Sequence, residues 1–277
     1  MTLETQLTPS VSRAGRGHHE RFALKLDVPI LNARAGGWAE QVAATGGRLH
    51  PAVAFTAVLA AGLAGLAALS IGLGMLVTQV LEPAWGIGAA DERVNVWLAA
   101  HRTSSRTEAS LLGSIVAGGV VLPIVIGSLA LLCVVVRKWR LAAFAVFALG
   151  VESAAYRATT LAVHSHRPRV VRLENLPVNA SYPSGHTAAA IAVYAGLALM
   201  VTSSFTARAV RTVVWTAASL MVAFVAMSRM YRGMHHPLDV AGGLVVGVGA
   251  LIVVVLACRA AGAAAELRAR SKPGARG

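Results

Sequence analysis

Long stretches without a charged side chain constrain this sequence more than any other feature. Residues 51–81 contain no Asp, Glu, Lys or Arg, and further apolar stretches follow along the chain. About 20 consecutive apolar residues are needed to cross the hydrocarbon core of a bilayer. The later stretches lie between Glu108 and Arg137, from Arg140 to about His164, between His186 and Arg208, between Arg211 and Arg229, and between Asp239 and Arg259. The sequence therefore predicts an all-α, polytopic membrane protein with six transmembrane helices in one bundle.

Composition excludes the main soluble classes. Hydrophobic residues make up 56% of the 277 residues and charged residues only 13%, against about 25% in soluble domains. The apolar content excludes a disordered chain. The net charge of +13 suits a protein that keeps its cations in the loops between membrane spans, rather than a nucleic-acid-binding protein. Cys133 and Cys258 both lie in apolar stretches, and we expect them to be small packing residues.

The positions of the Lys and Arg side chains predict the orientation in the membrane. Cations are concentrated before the first span, between spans two and three, between spans four and five, and after the last span. With six spans these segments share one side, which the positive-inside rule makes cytoplasmic. We therefore expect an N-terminal segment over residues 1–50, a membrane domain over 51–258 and a basic tail over 259–277. Both termini are then cytoplasmic, and the loops at 82–108, 165–185 and 229–238 face outward.

The N-terminal segment has no apolar run long enough for a signal-peptide core, so we expect the first span to be retained. Residues 22–33 suit either an interfacial helix or part of a disordered basic tail.

The first polar cluster is Ser-Tyr-Pro-Ser-Gly-His-Thr at residues 181–187, where the fourth span begins. Pro183 and Gly185 suit a tight turn into a helix. Ser184 and the free backbone N–H groups of that helix start can bind an anion, with His186 beside them. An N-cap next to an incidental histidine is the alternative interpretation.

The second polar cluster lies at residues 228–239, at the edge of the last two spans. Ionisable side chains at a membrane boundary are costly without a function. His235 and Asp239 are four residues apart, so a helical turn places them on one face. A carboxylate bonded to one imidazole nitrogen fixes the tautomer and leaves the other nitrogen as a nucleophile or base.

The third polar cluster, at residues 164–172, carries three arginines on the side where cations are otherwise scarce. Arg167, Arg169 and Arg172 follow the third span. Guanidinium groups offer paired donors to phosphate oxygens. All three clusters fall on the predicted outward side, which favours one phosphate site over three unrelated patches.

These residues resemble the type-2 phosphatidic-acid phosphatase superfamily, which contains membrane lipid phosphatases and soluble vanadium haloperoxidases. Its second motif, Pro-Ser-Gly-His, stands at residues 183–186, and its third, Ser-Arg-x5-His-x3-Asp, at residues 228–239. With the six spans, the resemblance extends over residues 51–258. The six spans argue against the soluble branch.

The first motif of that family, Lys-x6-Arg-Pro, is incomplete here. Arg167 precedes a proline, but Thr160 stands where the lysine belongs; Arg169 has Ala162 in that place. We take Arg169 as the motif arginine, with Arg167 as the alternative, because many relatives have Arg-Pro-Arg-Pro here.

A substitute for the missing lysine can be sought among nearby arginines. Arg157 lies one turn below Thr160 on the same helix face, and Arg172 follows in the next loop. Either arginine is a candidate substitute, while Glu152 could instead neutralise Arg157 as an internal structural pair.

The resemblance implies a mechanism for the matching residues. His235 would attack phosphorus and form a phosphohistidine, oriented by Asp239, and His186 would protonate the leaving oxygen and then activate water. The non-bridging oxygens would be held by Arg169 or Arg167, by Arg229, by Ser184 and by the backbone of Gly185.

No cofactor is expected. Arginines can stabilise the phosphoryl group without a divalent ion, and Glu174 is the only further carboxylate that we place near the motifs. Activity should then survive EDTA. We expect His164, His166 and His236 to be structural or interfacial.

The resemblance implies a membrane lipid-phosphate phosphohydrolase. A polyprenyl pyrophosphate, such as undecaprenyl or decaprenyl pyrophosphate, is the leading substrate; phosphatidic acid or phosphatidylglycerol phosphate is the alternative. A lipid phosphotransferase would use the same residues. A non-catalytic lipid-binding or transport protein is the competing function from a different class. The expected partners are the lipid phosphate and the bilayer, without nucleic acid; the sequence does not determine the oligomeric state.

Overall fold

The computed structural model describes residues 29–33, 36–45, 49–205 and 207–270. Within them the helices are α1 (Trp38–Thr45), α2 (Pro51–Leu76), α3 (Glu82–Trp85), α4 (Ile87–Ala100), α5 (Ser104–Val116), α6 (Val121–Val135), α7 (Trp139–Ala162), α8 (Gly185–Ala190), α9 (Gly196–Ser204), α10 (Arg208–Tyr231) and α11 (Pro237–Arg270). A π-helical turn at Val77–Leu81 continues α2, and another at Ile191–Ala195 joins α8 to α9. This part of the chain contains no β-strand, so the all-α prediction is confirmed.

Five of these helical segments are long and apolar enough to cross a membrane. They are Pro51–Leu81, Trp139–Ala162, Gly185–Ser204, Arg208–Tyr231 and Pro237–Arg270. The second predicted span is instead a pair of shorter helices, α5 and α6, which are bent by 42° at a short break. Gly118 and Gly119 lie in that break, and adjacent glycines are a common cause of helix kinks. The bundle therefore has six spans when the bent pair is counted as one.

The last helix, α11, is the centre of the bundle and packs most extensively against α2 and α7. Its glycines allow the close approach. A Cβ at Gly243 would lie 2.6 Å from the Ser184 carbonyl oxygen, and one at Gly247 would lie 2.7 Å from the Ala188 carbonyl oxygen. Small residues bring helix backbones together where lipid provides no hydrophobic drive. The small face of α11 thus holds the start of the fourth span close to its own first turns.

Helix α11 continues past the predicted end of the membrane domain. It runs to Arg270, and Ala260, Ala263 and Ala264 pack with Ala39 of α1 and Ala54 of α2. The first part of the predicted basic tail is therefore helical and packed, because alanines on one helix face meet alanines of the N-terminal region.

The described part of the N-terminal segment is also tied to the bundle. The backbone carbonyl of Ile30 accepts a hydrogen bond from Arg259 Nε at 2.8 Å, and Asn32 Oδ1 accepts one from Arg140 Nη1 at 2.9 Å. Most of the stretch for which an interfacial helix or a disordered tail was considered lies outside the described residues. Cys133 and Cys258 are buried free thiols, as expected for packing residues.

The close fit of Gly247 generates a stability prediction. Gly247→Ala should destabilise the protein by about 1–3 kcal/mol, because the new Cβ meets a backbone carbonyl and Ile191 Cβ at 2.7 Å. Gly65→Ala in α2, where nothing lies within 4 Å of the added Cβ, is the matched control and should be neutral or stabilising by up to about 1 kcal/mol. Thermal unfolding in detergent measures both, and equal stability of the two variants would contradict the packing.

Candidate active site

The three polar clusters of the sequence meet at one end of the bundle. Ser181 donates its backbone N–H to the Ser165 carbonyl at 3.3 Å, which joins the loop after α7 to the start of the second motif. Ser184 N–H donates to the Asp239 carbonyl at 2.8 Å, which joins the second motif to the third. Leu173 N–H donates to the carbonyl of Arg232, at the end of α10, at 3.1 Å. Backbone hydrogen bonds thus bind the three segments into one unit.

The second motif forms the start of a membrane-crossing helix, as predicted. Ser184 is fully buried in extended backbone geometry just before α8, and its hydroxyl lies 3.0 Å from Thr187 Oγ1. It makes no side-chain capping bond, in contrast to an ordinary N-cap. The first N–H groups of a helix have no intrahelical acceptor, so Gly185 and His186 present backbone donors at this point. His186 lies within electrostatic range of Arg229, His235 and Arg167.

The backbone of Ser181, two residues before the second motif, holds the ring of His235. Its Nδ1 lies 2.8 Å from the Ser181 carbonyl oxygen, and the side chain is 4% exposed. A carbonyl oxygen can only accept, so Nδ1 carries the hydrogen and Nε2 keeps its lone pair in the neutral ring. Burial lowers the pKa of His235, and the nearby Asp239 carboxylate only partly offsets this. The ring is therefore neutral near pH 7, with Nε2 available as a nucleophile.

Asp239 reaches His235 differently from the expected direct hydrogen bond. Its Oδ2 lies 3.7 Å from His235 Nδ1, which is too long for a hydrogen bond. The same oxygen accepts from Ser181 Oγ at 2.5 Å and from the His236 N–H at 2.8 Å. Ser181 thus connects the carboxylate to the ring, with its hydroxyl on Asp239 and its carbonyl on His235. The sequence motifs did not single out this serine for that role.

Arg229 is the most deeply buried cation of the site, with 0% exposure. Its Nη1 donates to both carboxylate oxygens of Glu174 at 2.8 Å and to Ser114 Oγ at 2.7 Å. Its Nε and Nη2 are buried and have no hydrogen-bond partner. Buried donors are almost always satisfied, and a guanidinium edge with two free N–H positions fits an oxyanion.

Glu174 fixes the two arginines at the end of α10. Besides Arg229, it accepts from Arg232 Nε at 2.5 Å. Burial alone would raise the pKa of the carboxyl, but charge attraction and hydrogen bonds from Arg229, with further hydrogen bonds from Ser114 and Arg232, lower it to about 2. Glu174 is therefore an integral part of the arginine cluster. The sequence had indicated only an isolated extra carboxylate near the motifs.

The structure favours Arg167 over Arg169 as the arginine of the first motif, which reverses the preference drawn from the sequence. Arg167 is buried, and its guanidinium donates to the carbonyls of Pro177 at 2.7 Å, Ala180 at 2.8 Å and Met234. Arg169 is exposed, and its backbone N–H donates to Glu92 Oε1 at 2.9 Å. Arg167 turns inward because three loop carbonyls surround it, so it is the arginine that borders His186 and Arg229.

Neither suggested substitute for the first-motif lysine is buried in the site. Arg157 is exposed on α7, and Arg172 donates to the Leu176 carbonyl of its own loop. The Glu152–Arg157 pair is absent among the ion pairs of the described residues, where Glu152 accepts from Ser153 instead.

Helix α4 contributes polar contacts that the motifs did not reveal. Asn95 Nδ2 donates to the carbonyls of Met230 at 3.1 Å and His235 at 3.0 Å, and Asp91 accepts from Leu238 N–H at 3.3 Å. The one feature of the sequence that could have indicated these contacts is a set of polar residues at helical spacing in the loop at 82–108. The expectation that Glu174 is the only further carboxylate near the motifs is thus wrong.

His236 bridges α4 and the third motif. Its Nε2 lies 3.1 Å from Glu92 Oε2, and its Nδ1 lies 3.5 Å from Asp239 Oδ2. Burial would lower the pKa of His236, but the two carboxylates raise it to about 9. The ring is therefore a cation at neutral pH and links the two carboxylates electrostatically.

A cavity of about 700 Å³ opens beside this bridge, between the end of α2, α4 and the loop after α7. Its polar lining consists of Thr78, Glu82, Asp91, Glu92, Arg93, His164, Ser165, His166, Arg167, Arg169 and His236. Within the described part of the chain, no group of three or more His, Cys, Asp or Glu side chains is arranged to hold a metal ion.

Comparison with known proteins gives a family match and a fold match. Residues 141–262 match the family model of the PAP2 superfamily, which confirms the resemblance drawn from the motifs. The fold is similar to the crystal structure of the first transmembrane PAP2 type phosphatidylglycerolphosphate phosphatase from Bacillus subtilis, with a TM-score of 0.60 and 19% identity. That match covers 76% of this chain and 98% of the other. No curated protein sequence matches the chain.

The paired Glu174 carboxylate generates a pH-dependent stability prediction. Its folded-state pKa of about 2 lies below the ordinary 4.5, so its contribution is complete above pH 4.5 and is lost as the pH falls towards 2. Glu174→Gln should reduce the free energy of unfolding by roughly 1–3 kcal/mol near neutral pH. The difference from the wild type should shrink in acid.

Denaturation in detergent across this range tests the linkage, with exposed Glu108→Gln as the control. A Glu174→Gln deficit that stays constant from about pH 7 to pH 3 would show that the charge on Glu174 is not its source.

Proposed function

We propose that this chain is an integral-membrane lipid-phosphate phosphohydrolase that acts through a phosphohistidine on His235. The observation that carries the proposal is the buried Arg229 guanidinium, which keeps Nε and Nη2 unpartnered within electrostatic range of His186. A buried cation with free donors, a neutral imidazole and a second histidine form the minimum set for phosphoryl transfer without a metal. The match of residues 141–262 to the PAP2 superfamily supports the same chemistry.

The reaction proceeds in two displacements. His235 Nε2 attacks phosphorus, the bond to the leaving oxygen breaks, and His186 gives that oxygen its proton. His186 then takes a proton from water, the water oxygen attacks phosphorus, and the P–N bond to His235 breaks, which releases phosphate. Asp239 and Ser181 keep the hydrogen of His235 on Nδ1 throughout.

The phosphoryl oxygens are held by donors from all three motifs. Arg229 supplies Nε and Nη2, Ser184 its hydroxyl and Gly185 its backbone N–H. Arg167 uses three of its five N–H donors on loop carbonyls, which leaves two for the phosphoryl group. Arg169, exposed at the cavity, is placed to meet the headgroup outside the reacting phosphate.

The site faces outward in this proposal, with both termini cytoplasmic. Arg140, in the first turn of α7, and Arg208, at the start of α10, lie at the end of the spans opposite the site, and that end has the basic flanking segments. The positive-inside rule assigns it to the cytoplasm. The substrate phosphate then reaches the site from the outer leaflet of the cell membrane.

A polyprenyl pyrophosphate remains our leading substrate, since an outward site at the membrane surface suits a lipid carrier that is recycled there. Phosphatidylglycerol phosphate is the second candidate, because the solved structure that shares this fold is a phosphatase of that lipid. Phosphatidic acid, and transfer of the phosphoryl group to an alcohol, use the same residues. Retention of all three catalytic side chains argues against a purely non-catalytic transporter.

The assignment of His235 predicts a loss of turnover. Wild-type protein in detergent should release phosphate from at least one member of a panel of lipid phosphates and pyrophosphates. His235→Ala should reduce the rate by at least about 10⁴-fold, because it removes the proposed nucleophile. His101→Ala, which alters an exposed histidine just after α4, is the matched control and should retain wild-type activity. Normal hydrolysis by His235→Ala would refute the nucleophile.

The same assay separates metal-dependent from metal-independent chemistry. Activity should be unchanged in EDTA, since arginines hold the phosphoryl group. Loss of activity on chelation, with recovery on addition of Mg²⁺, would contradict the arrangement.

A further inference from the structure

The residue at the lysine position of the first motif does not contact the proposed phosphate site. Thr160 occupies that position, and its hydroxyl donates to the Arg157 carbonyl within α7 rather than to the site. Arg157 is exposed, and Arg172 is engaged with its own loop. Neither Thr160 nor these two arginines therefore offers a donor to the proposed phosphate site.

Tyr156 lies four residues before Thr160, one turn away on the same face of α7. Its ring packs directly on the second motif. A Cβ added at Gly185 would lie 2.9 Å from Tyr156 Cε2 and 3.1 Å from Cζ, so glycine is required there for the ring to fit. The phenol end of Tyr156 therefore lies against the residue whose backbone N–H is assigned to the phosphoryl group.

The surroundings of the Tyr156 hydroxyl point the same way. It lies within electrostatic range of both Arg167 and Arg229, the two arginines of the proposed phosphate site. Tyr194 and Tyr231 have their hydroxyls in hydrogen bonds, to the Val116 carbonyl and to Thr103 and Thr107 respectively. Among the described residues, the hydroxyls of Tyr156 and Tyr182 have no such bond. Tyr182 packs against Gly242 of α11, whereas Tyr156 is half-buried against Gly185.

We propose that the Tyr156 hydroxyl donates a hydrogen bond to a non-bridging phosphoryl oxygen and replaces the lysine that the first motif lacks. This inference rests on the proposed function, since it assigns one more donor to the same site. A phenol supplies a donor without a positive charge, so the charge that develops in the transition state is met by Arg167 and Arg229 alone.

Tyr156→Phe tests the assignment, because phenylalanine keeps the ring against Gly185 and removes only the O–H. We expect kcat/KM to fall about 10–100-fold, the value of a hydrogen bond to a charged group. The affinity for orthovanadate, a phosphate analogue measured by its thermal stabilisation of the protein, should weaken by a similar factor. Tyr194→Phe is the matched control: it loses a hydroxyl bond away from the site and should keep wild-type values.

A second variant tests whether the two positions serve the same oxygen. Thr160→Lys restores the first-motif lysine and, added to Tyr156→Phe, should recover at least about tenfold in kcat/KM. Absence of recovery, or wild-type kcat/KM and vanadate affinity in Tyr156→Phe alone, would overturn the inference.

Failure of the proposed function has a different signature. If wild-type protein releases no more phosphate than His235→Ala, the hydrolase proposal fails. The vanadate comparison then decides the role of Tyr156 alone, because a hydroxyl that binds the oxyanion weakens vanadate binding when it is removed, whether or not lipid is hydrolysed.

Discussion

The end of the bundle that holds the motifs depends on one constraint, the burial of the charged Arg229 guanidinium. A fully desolvated cation costs several kcal/mol unless charge and hydrogen bonds compensate for it. Glu174 and Ser114 satisfy one edge of the group, and Arg232 holds Glu174 in place from the other side. The other edge of Arg229 is left without a partner. In the proposed mechanism, a phosphoryl oxygen of the substrate pairs with this edge and completes the compensation.

A small number of hydrogen bonds also holds His235 in place. The carbonyl of Ser181 orients His235, and the hydroxyl of Ser181 is anchored by Asp239, so one residue just before the second motif sets the geometry of the third. This arrangement requires the fourth and sixth spans to lie in backbone contact, which the glycine face of α11 allows at Gly243 and Gly247. The orientation of His235 thus depends on the close packing of these two spans.

Sequence reasoning identified what is local to a motif. The spans, and the candidate residues His186, His235, Asp239, Arg229 and Ser184, follow from apolar length and fixed spacing, and the structure brings these side chains together. Contacts between segments far apart in sequence could not be predicted in this way. Ser181 acts through its main chain, and Asn95 joins the site from the loop between the first two spans. The choice between Arg167 and Arg169 depends on three carbonyls contributed by other loops, and the length of α11 depends on alanines of the N-terminal region.

In the proposed mechanism the phosphoryl group is transferred to His235. Rapid acid-free quenching of wild-type protein with a lipid substrate labelled at the reacting phosphorus tests it directly. We expect label bound to the protein that is stable in base and labile in acid, that maps to the peptide containing His235, and that is absent from His235→Ala. Substrate turnover without any protein-bound label, or label on His186, would contradict the mechanism.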